Sequence, residues 1–78
     1  MTRDDSIRIT NQIRRLRTER GITQGALAEA IAVTRVTISC IERGEYHPSL
    51  ELALKLARFF EVGVEDVFRL EDRDPEEH

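Results

Sequence analysis

The sequence has little of what several function classes need. Its one cysteine, Cys40, cannot close an internal disulfide, which agrees with a reducing compartment. Cys40, His47 and His78 lie far apart, so no metal-ligand spacing is present, and neither a metal nor another cofactor is expected. No run of 18 apolar residues exists to span a membrane. The opening MTRDDSIRIT lacks the apolar core of a secretory signal, so a cytoplasmic protein is expected. There is no Ser/His/Asp or Cys/His set, no phosphate loop and no pair of acids with a cleft to serve, so the expected protein is not an enzyme. A basic excess is missing too: the formal net charge is −3 and the pI about 5.3, far from the usual footprint of a nucleic-acid binder. That sum hides an asymmetry. Residues 1–50 carry eight arginines and six acids, whereas residues 51–78 carry four bases and nine acids. Binding answers to the local field, so the overall charge neither supports nor excludes a polyanionic partner.

What is there fits one small domain, expected over residues 1–71, with an acidic tail at 72–78. The 40% apolar share supports a modest core, of the kind that often gains stability by oligomerising. Met1 to Ser6 is polar and reads as frayed. Ile7 to Thr10 alternates apolar and polar, as does Phe68 to Glu71, so two short strands are predicted at 7–10 and 68–71. Helices are predicted at about 11–20, 24–31, 35–43, 50–60 and 64–67. Asn11 is the expected cap of the first, which points Ile13 and Leu16 inward and ends at Gly21.

The organising stretch is Thr23 to Gly44. Thr23 can cap a helix whose apolar side is Leu27, Ala28 and Ile31; Ala32 and Val33 turn the chain, and Thr34 caps the next helix. That helix has Ile38 and Ile41 on one side, with Arg35, Val36, Ser39, Cys40 and Arg43 on the other. Gly44 is best able to take the left-handed conformation that ends it. Two short helices with a tight turn, the second presenting small and basic residues outward, match the helix-turn-helix pattern.

These residues resemble the lambda-repressor-like (Cro/Xre) family. The likeness is carried by Thr23-Gln24, Leu27-Ala28, Val33-Thr34-Arg35, Thr37-Ile38-Ser39, Ile41-Glu42-Arg43-Gly44 and Pro48-Ser49-Leu50, and it extends over about residues 11–68. It implies a mostly α, five-helix DNA-binding fold with a short antiparallel β ribbon from the two ends. It also implies a regulator that acts on DNA in a prokaryotic cytoplasm or on a phage genome. The family's pairing of an arginine with a glutamate maps onto Arg17 and Glu42, and its phosphate-binding glutamine maps onto Gln24. Glycine is usual where this chain has Ala32, which must strain or turn the other way. Ala26 stands where a capping box would have glutamate, and Cys40 where lysine is frequent.

The start of the second motif helix reaches deepest into a major groove. Base contacts are therefore expected from Arg35 (to a guanine edge), Val36 (to a thymine methyl), Ser39 and Cys40. Phosphate contacts are expected from Gln24, with Thr23, Thr34, Thr37, Arg43, Tyr46, His47 and Arg17 as further candidates.

The helix from Leu50, capped by Ser49, has a wider apolar arc than one core face requires. Leu50, Ala53, Ala57 and Phe60 are expected to face the core. Leu52, Leu56 and Phe59, with Val64, Phe68 and Leu70, are left for a dimer interface. The expected function is a homodimeric repressor reading a palindromic operator in double-stranded DNA. Two other readings stay open: an antitoxin-type module that wraps a protein partner, and the controller protein of a restriction–modification system.

Overall fold

The computed structural model describes residues 7–72. The expected frayed start and all but the first residue of the expected acidic tail lie outside these residues. Within them the order is β1 (Ile7–Asn11), α1 (Ile13–Glu19), α2 (Gln24–Ala30), α3 (Arg35–Glu42), α4 (Leu50–Phe60), α5 (Val64–Val67) and β2 (Phe68–Asp72). The fold is mostly α, with five helices and a two-stranded antiparallel sheet, as the sequence led us to expect.

Local chemistry sets most boundaries. The hydroxyls of Thr23, Thr34 and Ser49 each accept from the backbone N–H three residues on, at 3.0–3.2 Å, and so open α2, α3 and α4. Gly21 (φ +67°) and Gly44 (φ +77°) take left-handed backbone just past α1 and α3, where any other residue would pay a steric cost. Asn11 departs from its expected place. It lies in β1 opposite Phe68, and α1 starts two residues later. Its side chain still serves the helix, because Oδ1 accepts from Ile13 N at 3.2 Å. Meanwhile Nδ2 donates to the Ile41 carbonyl at 2.9 Å, gripping the far end of α3.

The core is built from Ile13 and Leu16 of α1, Leu27 and Ala28 of α2, Ile31, Ile38 and Ile41, then Leu56, Ala57 and Phe60 of α4 and Val67 of α5. Ile38 and Ile41 are fully buried, so they fix the rotation of α3 about its own axis. Truncating either to alanine would cost about 2–5 kcal/mol, a large share of a small domain's stability. Arg20 closes one edge of this core: its Nη2 donates to the Phe60 carbonyl at 2.6 Å, and its guanidinium lies 5.2 Å from the centre of the Phe60 ring.

In α4 the apolar arc is rotated from the expectation. Leu56 is fully buried, so it cannot meet a second subunit, whereas Leu50, expected in the core, is 74% exposed. Leu54, one turn on, is exposed as well. The reason is that eight of the eleven α4 residues are apolar, and packing rather than pattern selects the buried side.

Candidate nucleic-acid interface

With its isoleucines anchored behind, α3 turns the opposite edge outward. Arg35 and Val36 are exposed, Val36 by 59%, and Ser39 and Cys40 are half-buried one turn further along. The two α2–α3 threonines serve the helix itself: Thr34 caps it, and the Thr34 and Thr37 hydroxyls lie 3.0 Å apart. Between the helices Ala32 has φ +64°, so the turn takes the left-handed form and carries the strain that a glycine would avoid.

Behind this edge lies a polar hub. Glu42, 7% exposed, accepts from Arg17 Nε at 2.8 Å and Nη2 at 3.3 Å, and from Gln24 Nε2 at 3.1 Å. Arg17, 15% exposed, also donates to the Ile22 carbonyl at 2.9 Å. The pair implied by the resemblance is thus present as a two-pronged ion pair linking α1 to α3. The pair holds the Arg17 side chain mostly out of solvent, at 15% exposure, while leaving it on the wall of a hollow between α1 and α3. Gln24 reaches in two directions: its Oε1 lies 3.5 Å from Arg35 Nη1, so the side chain spans from the hub to the exposed edge.

At the other end of α3, Arg43 is held by neighbours. Its Nη1 donates to Ser39 Oγ at 2.6 Å, while Nε and Nη2 each lie 3.1 Å from a carboxylate oxygen of Glu45. Hydrogen bonding and charge from Arg43 hold the Glu45 carboxyl below its usual range; the same contacts raise Arg43. Ser39 therefore positions Arg43 in addition to facing outward, and Cys40 Sγ lies 3.8 Å from the same guanidinium. Tyr46 and His47 are exposed on the loop after Gly44.

Sequence reasoning missed Glu45 and the bond from Asn11 to α3. Glu45 carried a readable signal, an opposite charge two residues from Arg43 across a turn-forming glycine. The Asn11 bond carried none, because its partner is thirty residues away. Of the residues expected at an interface, Leu70 is 72% exposed; Val64, Phe68, Leu52 and Phe59 are half-buried against the core, and Leu56 is excluded as described. Ile9, not singled out in the sequence, pairs with Leu70 across the ribbon and is also exposed.

Among the described residues no helix is long and apolar enough to cross a membrane. The helix-turn-helix family HTH_3 matches residues 13–67. The chain is 45% identical over 64 residues to the HTH-type transcriptional regulator YgzD of Bacillus subtilis, covering 82% of this chain and 97% of that one. It is 47% identical over 62 residues to an HTH-type transcriptional regulator of Methanocaldococcus jannaschii, covering 80% and 94%. A crystal structure of the restriction-modification controller protein of Aeromonas hydrophila superposes with a TM-score of 0.65 at 33% identity, covering 70% of this chain and 80% of that one. With that match and those relatives, the chain belongs to the Cro/Xre-like helix-turn-helix family of DNA-binding transcriptional regulators.

Proposed function

We propose that the protein is a homodimeric repressor that occupies a two-fold operator, with α3 of each copy in the major groove. The observation that carries this reading is the division of α3. Ile38 and Ile41 are sealed in the core, while Arg35 and Val36 stand in solvent with no packing role. Arg35 reads a guanine edge and Val36 a thymine methyl. Cys40 approaches the groove as a small side chain, and Gln24, at the start of α2, steadies the docking through the backbone. Two-fold symmetry sets the half-sites about 34 Å apart, one DNA turn.

The dimer forms through the ribbon and α5. Ile9 and Leu70 sit opposite each other on β1 and β2, and a hollow of about 560 Å³ beside them is lined by Ile9, Glu65, Asp66, Phe68, Arg69 and Leu70. An isolated two-stranded ribbon is marginal in water, and a second copy would cover this pair and extend the sheet.

Selection of bound duplexes from a random pool tests the reading. Arg35→Ala relaxes one base position and costs about 1–3 kcal/mol, while Gln24→Ala weakens all sites evenly. If Arg35→Ala also acts evenly across sites, Arg35 does not read bases. The likeness to the Aeromonas controller protein favours one narrower form of the same function, control of a restriction–modification pair; restriction and methylase genes beside the coding sequence would support it.

A further inference from the structure

A hollow of about 320 Å³ between α1 and α3 is lined by Arg14, Arg17, Gln24, Ser39, Glu42 and Arg43. Three guanidinium groups meet one carboxylate there, and that carboxylate is already taken by Arg17 and Gln24. Glu45 balances Arg43, so the uncompensated positive charge is that of Arg14, and Arg43 adds to it only when Glu45 lets go. Arg14 is exposed and makes no ion pair or hydrogen bond among the described residues. Arg43 is gripped from outside by both oxygens of Glu45 and from inside by Ser39 Oγ. A guanidinium offers a phosphate the same two-pronged geometry that it offers a carboxylate. The Arg43–Glu45 pair is exposed on both sides, so it is weak and open to exchange.

We propose that this hollow seats one phosphate of the DNA backbone, with Arg14 and Arg43 as its two arms, and that Glu45 occupies Arg43 until the phosphate displaces it. The proposal rests on the DNA-binding reading above. The step is an exchange of ion pairs in which no bond is made or broken covalently. Glu45 thereby lowers affinity for every sequence alike and leaves base reading untouched, because it touches neither Arg35 nor Val36.

The test is titration of two labelled duplexes, one selected and one random, between about 50 and 200 mM salt. The full chain is compared with Arg14→Ala, Glu45→Gln and Arg15→Ala. Arg15 loses the same charge from the same helix but does not line the hollow, and it pairs with Glu19 at 3.1 Å. Arg14→Ala is expected to bind both duplexes about 3- to 10-fold more weakly, with a salt slope smaller by about one. Glu45→Gln binds both about 2- to 5-fold more tightly, and Arg15→Ala changes by less than about 2-fold. All three positions are exposed, and thermal unfolding checks that each variant is folded. If the unaltered protein binds but Arg14→Ala matches Arg15→Ala, or Glu45→Gln is no tighter, the seat is rejected and the DNA reading stands. If the unaltered protein binds neither duplex, both are rejected.

Discussion

Arg17 Nε lies 2.8 Å from Glu42 Oε2, joining the middle of α1 to the last residue of α3 across twenty-five positions of sequence. The pair is mostly shielded from water, so removing one partner strands the other. Glu42→Ala leaves Arg17 and Gln24 without their shared acceptor and should cost about 3 kcal/mol. In a domain of this size that lowers the melting temperature by more than about 10 °C. The double variant Arg17→Ala/Glu42→Ala should lose less than the sum of the two single losses. A Glu42→Ala protein melting within about 1 °C of the unaltered one would class the pair with ordinary surface bridges.

Ala32 and Glu61 are the two non-glycine residues with left-handed backbone among the described residues, at φ +64° and +59°. Each pays a steric cost of roughly 1–2 kcal/mol that glycine avoids, partly offset by the greater freedom of glycine in the unfolded chain. Ala32→Gly and Glu61→Gly should therefore each stabilise the protein by about 0.5–1 kcal/mol, read as a higher melting temperature. An unchanged or lower value at either position would show that its strain is relieved in some other way.

Two exposed leucine positions separate the interface readings. Leu70→Asp places a charge at the centre of the ribbon face and should convert the protein to a monomer at about micromolar concentration, measured by light scattering. Leu54→Asp, on the outer side of α4, should leave the mass unchanged. The reverse pattern would move the interface from the ribbon to α4.

The Arg43–Glu45 pair also predicts a pH effect with a definite sign. Because the folded protein holds Glu45 below its usual titration range, the contribution of the pair is present above that range. It is lost as pH falls through the depressed titration of Glu45. The stability difference between the unaltered protein and Glu45→Gln should be largest near neutrality and close as pH falls below the usual carboxylate range. Since both side chains are in solvent, the difference is small and salt should shrink it. A difference that grows toward acid would contradict the assignment. Stability and DNA affinity should thus move in opposite directions in this one variant.

Much of the fold was legible because its signals are local. A hydroxyl three residues before the amide that it caps, a glycine after a helix, and alternation over four residues can each be read within a short window. Hence α2, α3 and α4 open at Thr23, Thr34 and Ser49 as the residues imply. What was not legible depends on distant partners. The pattern of α4 could not say that Leu56 rather than Leu50 faces inward, because almost every side of that helix is apolar. Glu61 takes the left-handed position after α4, although Gly63 stands two residues away and looks better suited. Gly63 instead opens α5, where its N–H donates to Asp66 Oδ2 at 3.0 Å. In the site, the outward edge of α3 follows from Ile38 and Ile41 alone. The Arg17–Glu42 pair came with the family resemblance, whereas the clamp on Arg43 by Ser39 and Glu45 needed coordinates.

The grip of Asn11 on the last turn of α3 has a mechanical consequence. The strand that would lie against a second copy holds the reading helix by its end, with a single 2.9 Å bond between them. In the proposed dimer the two strands act as a ruler: the angle at which two copies join is transmitted directly to the separation of the two reading helices. Removing that bond, as Asn11→Ala would together with the contact from Ile13 N, lets the ruler slip, and tolerance for operators with altered spacing should widen.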